Sequence, residues 1–196
     1  DEIEKKNYSF SFKSLRPIIA LLPGSRKQEI ETILPKMLEV TESFPNYQFV
    51  IGATNTFSKK YYQSFIKERN VALVFNETYG LLSHAEAALV TSGTATLETA
   101  LFRVPQIVCY KTNWLTYIIA KTLIKIDYLS LVNILLGKEI VKELIQKRLN
   151  KENLIRELDN LFVEKERILK GYDKLSTLLN TKGASRNAAR FILDSI

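Results

Sequence analysis

The sequence predicts an α/β fold: a Rossmann-like, doubly wound parallel sheet with helices on both faces and extra helices near the carboxyl terminus. Short apolar runs, which are typical of buried strands, alternate with segments whose apolar residues recur at helical spacing. Strands joined by helices of this size imply right-handed crossovers, so we expect a mainly parallel sheet. Two of the runs end in short loops of glycine and hydroxyl residues, as at the ligand-binding edge of such sheets.

The first half of the chain contains three predicted strands. Residues 17–22 form a continuous apolar run, which predicts a strand buried on both faces. The next helix is predicted to begin with a capping box formed by Ser25 and Gln28, and Pro35 is expected to kink or break it. The other elements predicted here are strands at 47–51 and 71–75 and helices at 57–69 and 81–86.

The second half continues the alternation and then becomes helical. A fourth strand is predicted at 87–90, a helix follows it to about Phe102, and a fifth strand is predicted at 105–110. Residues 128–133 are expected to form a loop. Further helices are predicted at 114–124, 139–146, 152–180 and 183–193. The predicted organisation is a linker at 1–16, a domain at 17–182 and a terminal helix at 183–196.

The composition excludes several classes of protein. With 196 residues, of which 46% are hydrophobic, the chain can bury the core of one domain, with or without an appendage. The single cysteine, Cys109, excludes a disulfide within the chain and lies in an apolar run, so we expect a buried thiol. The sequence has neither a membrane-spanning apolar run nor a signal peptide. Because residue 1 is not methionine, we expect a domain taken from a longer protein.

The stretch 88–98 is the strongest candidate for a binding site. An apolar strand ends there at Ser92, Gly93 and Thr94, and the pattern then becomes helical. Unpaired N–H groups at a helix start favour an anion by roughly 0.3–1 kcal/mol, glycine permits close approach, and hydroxyls donate hydrogen bonds. Glu98 follows one helical turn later, where its carboxylate is able to accept hydrogen bonds from a sugar diol. The alternative is an ordinary strand–helix junction capped by Ser92 or Thr94.

A second loop of the same kind follows the first predicted strand. It consists of Pro23, Gly24, Ser25 and Arg26. In a doubly wound sheet such loops lie at the carboxyl ends of the strands, where they line the ligand crevice. The planar guanidinium of Arg26 suits a diphosphate or a stacked base. Alternatively, Arg26 is a solvated residue of the first helical turn.

Other cofactor and catalytic motifs are missing from the sequence. The absence of Gly-x-Gly-x-x-Gly and of a P-loop disfavours a dinucleotide enzyme and a P-loop ATPase. The absence of Gly-x-Ser-x-Gly disfavours a serine hydrolase. His84, the only histidine, has no cysteine near it, so we expect a surface or supporting role and no metal site.

The charge balance favours an anionic partner. The formal net charge is +7 at pH 7, which suits nucleotide phosphates, nucleic acid or an acidic lipid surface. Trp114, Lys121 and Lys125 share one helical face, and this mixture suits a membrane interface or an acidic ligand. The alternative is a core helix whose lysines reach out to water. Nucleic acid is disfavoured because the sequence has no aromatic-rich sheet motif or recognition helix.

Four stretches resemble the lipid-A-disaccharide synthase family, whose members are glycosyltransferases of the GT-B fold in Gram-negative bacteria. The stretches are 21–30, 91–98, 125–133 continuing into 139–146, and the weaker 183–185 with 188–189. The resemblance covers nearly all of residues 17–196, and the third stretch is the most specific. The chain departs from the family at Val132, where proline is usual, so we expect a less rigid loop there.

The resemblance implies that this chain is the donor-binding half of a transferase. The family joins UDP-2,3-diacylglucosamine to 2,3-diacylglucosamine 1-phosphate (lipid X) and releases UDP. The domain at 17–182 would therefore bind a UDP-sugar as its substrate, with no cofactor and no metal. Gly24, Ser25, Arg26, Ser92, Gly93 and Thr94 would hold the diphosphate, Glu98 the ribose, and Asn133 and Gln146 the donor sugar or the cleft.

The resemblance also implies partners beyond this chain. Family members carry an amino-terminal acceptor domain with an acidic catalytic residue, so we expect this chain alone to bind nucleotide with little or no turnover. The segment 183–196 would cross onto that domain, or be exchanged between chains in a swapped homodimer. The implied location is the cytoplasm, peripheral on the inner membrane.

Two alternatives stay open. The first is another GT-B enzyme that uses UDP-GlcNAc, such as the peptidoglycan N-acetylglucosaminyltransferase or an epimerase. An epimerase, however, should show acidic and histidine catalytic residues that this sequence does not supply. The second is a non-catalytic basic module that binds a membrane or a partner protein.

Overall fold

The structure, a computed structural model, describes residues 8–112 and 127–179. The strands are β1 (Ile18–Leu22), β2 (Gln48–Ala53), β3 (Val71–Phe75), β4 (Ala85–Thr91), β5 (Gln106–Tyr110) and β6 (Lys142–Ile145). They form one six-stranded sheet in the order β3-β2-β1-β4-β5-β6, and each neighbouring pair is parallel. The predicted doubly wound parallel sheet is therefore confirmed.

The strand order reverses between β1 and β4. The chain builds outwards from β1 through β2 to β3, and then crosses back to place β4 on the other side of β1. Leu22 at the end of β1 consequently lies opposite Val90 of β4. The loops that follow β1 and β4 leave the same edge of the sheet side by side, which is where doubly wound sheets bind ligands.

Strand β1 is buried on both faces because alternate side chains enter different cores. Ile19 and Leu21 pack in one apolar cluster. Ile18, Ala20 and Leu22 pack in the other. None of the five is more than 5% exposed, which explains why this strand has no polar alternation in its sequence.

Helices connect the strands and cover the sheet. They are α1 (Lys27–Leu38), α2 (Lys59–Ile66), α3 (Thr78–His84), α4 (Ala95–Leu101), α5 (Leu131–Leu136), α6 (Lys151–Val163) and α7 (Lys165–Leu179), with 3-10 turns at Thr41–Ser43 and Gln146–Arg148. Helix α1 continues through Pro35 without a break. Its buried face is the predicted one, consisting of Ile30, Ile33, Leu34, Met37 and Leu38.

Several helix boundaries differ from the prediction. The N-cap of α1 is Arg26 rather than Ser25, and the carboxylate three residues later, on Glu29, accepts a hydrogen bond from the Arg26 N–H at 3.3 Å. Helix α2 ends earlier than predicted because Lys67, with φ at 53°, leaves the helical region. Helix α3 begins earlier, and β4 already starts at Ala85.

The prediction of a helix at 139–146 is wrong, because this segment contains strand β6. Apolar residues at positions 140, 141, 144 and 145 fit helical spacing as well as they fit a short buried strand. The segment forms a strand rather than a helix because it pairs with β5, where Ile107–Tyr110 run parallel to Lys142–Ile145. Pairing to a distant strand is a tertiary interaction that local periodicity does not contain.

The predicted loop at 128–133 is also partly wrong, because α5 begins inside it. The Ser130 side chain caps this helix by accepting a hydrogen bond from the Asn133 N–H. Val132, expected to loosen the loop, is instead wholly buried in the first turn. The single helix predicted at 152–180 is two helices, α6 and α7, which are separated at Glu164.

Some predicted features lie outside the described residues. These are Trp114, Lys121, Lys125, the helix at 114–124 and the terminal segment 183–196. The predicted division into linker, domain and terminal helix therefore stays a prediction.

Residues 8–16 form no helix or strand, and two of their side chains, Phe10 and Phe12, pack against the domain. In the described part of the chain, no helix is long and apolar enough to cross a membrane.

A buried polar network attaches α7 to the sheet. The Tyr172 hydroxyl donates to the Val104 carbonyl at 3.1 Å and accepts from Gln106 Nε2 at 3.2 Å. Gln106, the first residue of β5, also donates to the carbonyl of Thr96 in α4 at 2.9 Å. Burial raises the pKa of Tyr172, so its hydroxyl keeps its proton and remains a donor. This network joins α4, β5 and α7.

We expect Tyr172→Phe to lower the free energy of unfolding by about 1–2 kcal/mol, because the Val104 carbonyl loses its buried donor. Urea denaturation would measure the change. Tyr110→Phe, at the partly exposed end of β5, is the control and should lie within about 0.5 kcal/mol of the unaltered chain. Equal stability of both variants would contradict a structural role for the network.

Candidate functional site

A cleft of about 430 Å³ opens at the carboxyl edge of the sheet, between the loops after β1 and β4. It is lined by Leu22, Gly24, Ser25, Arg26, Glu29, Gly52, Thr54, Thr78, Thr91, Ser92, Gly93, Thr94, Ala95 and Glu98. The structure thus brings together the seven residues that the sequence assigned to the diphosphate and the ribose. The reversal of strand order between β1 and β4 is what places the two loops next to each other.

The loop after β1 depends on a glycine and a carboxylate. Gly24 has φ at +95°, a backbone conformation in which other residues are strained, and a Cβ there would also force the Glu29 carboxylate to move, because it would lie 2.4 Å from Oε2. The other oxygen of Glu29 accepts a hydrogen bond from Arg26 Nη1 at 3.0 Å. The Arg26 side chain is nevertheless 84% exposed. Its remaining N–H donors therefore stay available at the rim of the cleft.

The loop after β4 is not an ordinary capped helix start. The N-cap of α4 is Thr94, and its side chain makes no capping hydrogen bond. The Ser92 hydroxyl donates instead to the Leu129 carbonyl at 2.9 Å. The Thr96 hydroxyl donates back to the Gly93 carbonyl at 2.7 Å. Gly93 and Thr94 are exposed at the cleft, whereas Ser92 also ties this loop to the segment that precedes α5.

Glu98 lies at the junction of this cleft with a second cavity. The second cavity has a volume of about 340 Å³ and is lined by Tyr8, Ser9, Thr54, Asn76, Glu77, Thr78, Tyr79, Gly80 and Glu98. Three residues, Thr54, Thr78 and Glu98, line both spaces. The two cavities therefore form one elongated cleft with a carboxylate near its middle. Partial burial raises the pKa of Glu98 above the usual range of a glutamate.

The sequence reasoning missed the residues at the ends of β2 and β3. Thr54 directly follows β2, and Asn76 directly follows β3. The carboxyl ends of all parallel strands lie at one edge of the sheet, so the predicted strands already contained the signal for both positions. The aromatic wall formed by Tyr8 and Tyr79 had no such signal, because it depends on how residues 8–12 cross α3.

Asn133 does not line the cleft, which differs from the placement that the sequence suggested. It is wholly buried. Its Nδ2 donates to the Val141 carbonyl and to Glu143 Oε1, both at 2.8 Å. Its Oδ1 accepts from the Ile140 and Val141 N–H groups at 2.8 and 3.0 Å. With these bonds made, the amide acts as a cross-link between α5 and β6.

Glu143 is a buried carboxylate that the sequence reasoning missed, because its strand was predicted as a helix. It is 6% exposed and accepts from the Leu129 N–H at 2.8 Å, the Ser130 N–H at 2.9 Å and Asn133 Nδ2. These donors fix residues 129–130, and the Leu129 carbonyl in turn accepts the Ser92 hydroxyl. Glu143 and Asn133 thus support the cleft without lining it.

Gln146 follows β6 at the same edge of the sheet as the cleft, but it is not among the cleft-lining residues. Its Oε1 accepts from the Thr112 N–H at 3.2 Å. Within residues 8–112 and 127–179, its buried Nε2 has no hydrogen-bond partner. Its φ of 53° is unusual for a residue other than glycine. Across the same ranges, no group of three or more His, Cys, Asp or Glu side chains is placed to bind a metal.

The chain matches a family model described as Lipid-A-disaccharide synthetase over residues 1–194. It is 34% identical over 202 residues to the lipid-A-disaccharide synthase of Psychromonas ingrahamii, covering 98% of this chain and 53% of that protein. It is 39% identical over 188 residues to the Syntrophus aciditrophicus protein of the same name, covering 91% and 49%. The chain therefore spans about half the length of the curated relatives it matches.

Solved structures share the fold at low sequence identity. A spinosyn rhamnosyltransferase matches with a TM-score of 0.65 at 12% identity, covering 93% of this chain and 46% of that one. The glycotransferase of kitacinnamycin matches with a TM-score of 0.63 at 13% identity, covering 99% and 46%. A Neisseria meningitidis UDP-GlcNAc 2-epimerase matches with 0.51 at 20% identity, covering 80% and 38%. The predicted fold, one half of a GT-B structure, is confirmed.

We expect Glu143→Gln to lower the free energy of unfolding by about 1–3 kcal/mol, because the amide nitrogen that replaces one oxygen cannot accept from a buried donor. Chemical denaturation would measure this. The matched control is Glu68→Gln, at an exposed position after α2. A control that loses as much stability as Glu143→Gln would contradict the proposed support by the buried carboxylate.

Proposed function

Because this chain belongs to the lipid-A-disaccharide synthase family, we propose that it is the donor-binding half of such a transferase. The proposed reaction joins UDP-2,3-diacylglucosamine to 2,3-diacylglucosamine 1-phosphate (lipid X). Its products are lipid A disaccharide 1-phosphate and UDP. The observation that carries the proposal is the cleft between the loops after β1 and β4, which combines exposed donors with a carboxylate at one end.

The diphosphate is proposed to lie between the two loops. Arg26 has an exposed guanidinium with free N–H donors, and such a fork suits the oxygens of a diphosphate. Gly24 and Gly93 let the backbone approach a ligand closely, while Ser25 and Thr94 add hydroxyl donors. The Ser92 hydroxyl is already bonded to Leu129, so its proposed contribution is to hold its own loop in place.

The nucleoside is proposed to extend from the diphosphate into the second cavity. Glu98 lies between the two spaces, where its carboxylate is placed to accept hydrogen bonds from the ribose hydroxyls. Beyond Glu98 the cavity is walled by the aromatic ring of Tyr79 and by Asn76, an apolar face and a polar group that suit a base. The opposite end of the diphosphate would then carry the donor sugar.

The proposed contribution to catalysis is stabilisation of the leaving group. When the acceptor hydroxyl forms the new glycosidic bond, the bond from the anomeric carbon to the diphosphate breaks and negative charge develops on UDP. Donors that are already oriented in the cleft stabilise that charge without reorganising. We assign the removal of the acceptor proton to an acidic residue in the other half of the family's length, so no catalytic residue is assigned to this chain. The UDP-sugar is the substrate, and no further cofactor is proposed.

Other predicted residues keep proposed roles of different kinds. Gln146 is proposed to contact the donor sugar, since it follows β6 at the carboxyl edge and has an unpartnered buried Nε2 among the described residues. Asn133 is proposed to act indirectly, through the segment that it and Glu143 hold. Trp114, Lys121 and Lys125 remain proposed contacts for an acidic membrane surface. Lipid substrates favour a place at the cytoplasmic side of the inner membrane.

UDP at about 100 times its Kd is expected to stabilise the chain by about 2.7 kcal/mol and to raise Tm by about 5–10 °C. Arg26→Ala should remove most of this shift, because the exposed guanidinium is the strongest donor at the diphosphate. Differential scanning fluorimetry at millimolar UDP would test both statements. Arg156→Ala, on the exposed face of α6, is the control and should leave the shift intact. If UDP and a UDP-sugar both leave Tm unchanged, the assigned site is wrong.

Glu98→Gln is expected to weaken UDP binding about 10- to 100-fold at neutral pH, because hydrogen bonds to a charged acceptor are worth about 1.5–3 kcal/mol. Since burial raises the pKa of Glu98, the unaltered chain should lose affinity as the pH falls through that raised value. The Glu98→Gln variant should not show this loss of affinity, because its amide does not titrate. Calorimetric titrations of both chains from pH 4 to 8 would separate the Glu98 step from protonation of the phosphate itself. Parallel pH profiles would contradict the assignment.

The same variant should also be more stable than the unaltered chain at neutral pH. The folded pKa of Glu98 is raised, so the folded state holds the proton more tightly than the unfolded state does. The free energy of unfolding therefore falls as the pH rises through the window between the unfolded and folded pKa values. Greater stability together with weaker UDP binding is the result expected of a binding residue and not of a structural one.

A further inference from the structure

The segment 8–12, here called the strap, crosses α3 and is attached to it by a carboxylate. Ser11 donates twice to Glu77, from its N–H to Oε2 at 2.6 Å and from its hydroxyl to Oε1 at 2.7 Å. These two bonds, led by the one from the backbone N–H, lower the pKa of Glu77 below its usual range. The carboxylate therefore stays ionised, and the strap stays attached, into mildly acidic solution.

Apolar contacts hold the strap on both sides of this attachment. The Phe10 ring stacks on the His84 ring with centroids 5.0 Å apart. Phe12 packs with Phe10 against the core that contains Leu81 and Leu82 of α3. His84 is held in turn by the Gly80 carbonyl, at 2.8 Å from its Nδ1. His84, the only histidine in the sequence, therefore contacts both the strap and α3.

The strap and α3 touch backbone to backbone at Gly80. A Cβ on Gly80 would lie 2.2 Å from the Ser9 carbonyl oxygen and 3.2 Å from Phe10 Cβ. Real side chains do not tolerate the first of these distances, so any larger residue at position 80 must push the strap away from the helix. Gly80 lies inside a helix, where glycine is otherwise unfavourable by about 1 kcal/mol.

The strap reaches the second cavity with its first two residues. Tyr8 and Ser9 line this cavity together with Tyr79 and Glu98. The Tyr8 ring meets the rings of Tyr79 and Phe102 edge to face, with centroids 5.3 and 5.4 Å apart. The aromatic wall at this end of the cleft is therefore built from two parts of the chain, α3 and the strap.

We propose that the strap is a specificity-determining wall of the nucleoside end, which makes the cleft prefer a nucleoside diphosphate over a bare diphosphate. The inference rests on the proposed function and goes beyond it, because it assigns binding to a segment that the sequence presents as a linker. Tyr8 and Ser9 line the second cavity, and neither is among the residues that line the first cleft with Arg26 and the loop after β4. Displacement of the strap should therefore weaken binding of the nucleoside and leave binding of the diphosphate unchanged.

Gly80→Ala in the full chain is the direct test. The added methyl group displaces Ser9, while alanine itself favours the helix. Calorimetric titration should show UDP binding weakened at least about tenfold, as expected for loss of an aromatic wall, with inorganic pyrophosphate unchanged. Ser64→Ala, at an exposed position in α2 whose hydroxyl donates to the Tyr61 carbonyl of the same helix, is the matched control and should bind both ligands like the unaltered chain.

Glu77→Gln provides a second test, because this substitution leaves the number of non-hydrogen atoms unchanged. The variant removes one of the two oxygens that accept hydrogen bonds from Ser11. It should weaken binding of UDP and leave binding of pyrophosphate unchanged. It therefore tests the inference even if Gly80→Ala does not fold. The inference is overturned if the folded variants bind UDP normally, or if UDP and pyrophosphate weaken together. If the unaltered chain and both variants bind UDP equally well, the inference about the strap is wrong and the proposed function is not contradicted. Failure of the unaltered chain to bind UDP overturns both.

Discussion

The pairing of β1 with β4 is the interaction on which the cleft depends. The two strands are 63 or more residues apart in the sequence, yet Leu22 and Val90 are neighbours in the sheet. Since both strands are buried on both faces, their register is fixed by apolar packing on two sides. This register determines the arrangement at the carboxyl edge of the sheet. The loop after β1, with Arg26, lies next to the loop after β4, with Gly93, and Glu98 lies one helical turn after the second loop.

Polar groups away from the cleft fix the positions of the loops that line it. Glu143, which accepts from Asn133 Nδ2, also accepts from the Leu129 N–H, and the Leu129 carbonyl accepts from the Ser92 hydroxyl. Gln106 and Tyr172 hold the Thr96 carbonyl at the start of α4. A buried carboxylate or amide is costly unless it makes hydrogen bonds, so the bonds made by Glu143, Asn133 and Gln106 Nε2 favour one arrangement of the backbone around them. These networks position the loops of the cleft without contributions from a ligand, as the proposed stabilisation of a leaving group requires.

Three of the residues that line the cleft do not favour folding. Arg26 is exposed, Gly24 occupies a backbone conformation that other residues rarely adopt, and Glu98 is partly buried with a raised pKa. Residues that break local rules without a structural gain are the ones expected at a binding site. The strap adds Gly80 to this set, since alanine would suit the helix better. The residues that stabilise the fold and the residues proposed to bind the ligand are therefore largely different.

Local patterns were sufficient for the fold and for one end of the cleft. Apolar runs predicted β1 to β5, and the loops at Gly24 and Gly93 were expected at the ligand-binding edge of the sheet, where both line the cleft. Strand burial and turn chemistry are properties of neighbouring residues, so the local sequence contains them. Tertiary structure decided the rest. Residues 142–145 became a strand only by pairing with β5, Asn133 became a buried cross-link only through Glu143, and Tyr8 entered the cleft only because Gly80 lets the strap lie on α3. Each of these depends on a partner distant in the chain, which periodicity and spacing do not encode.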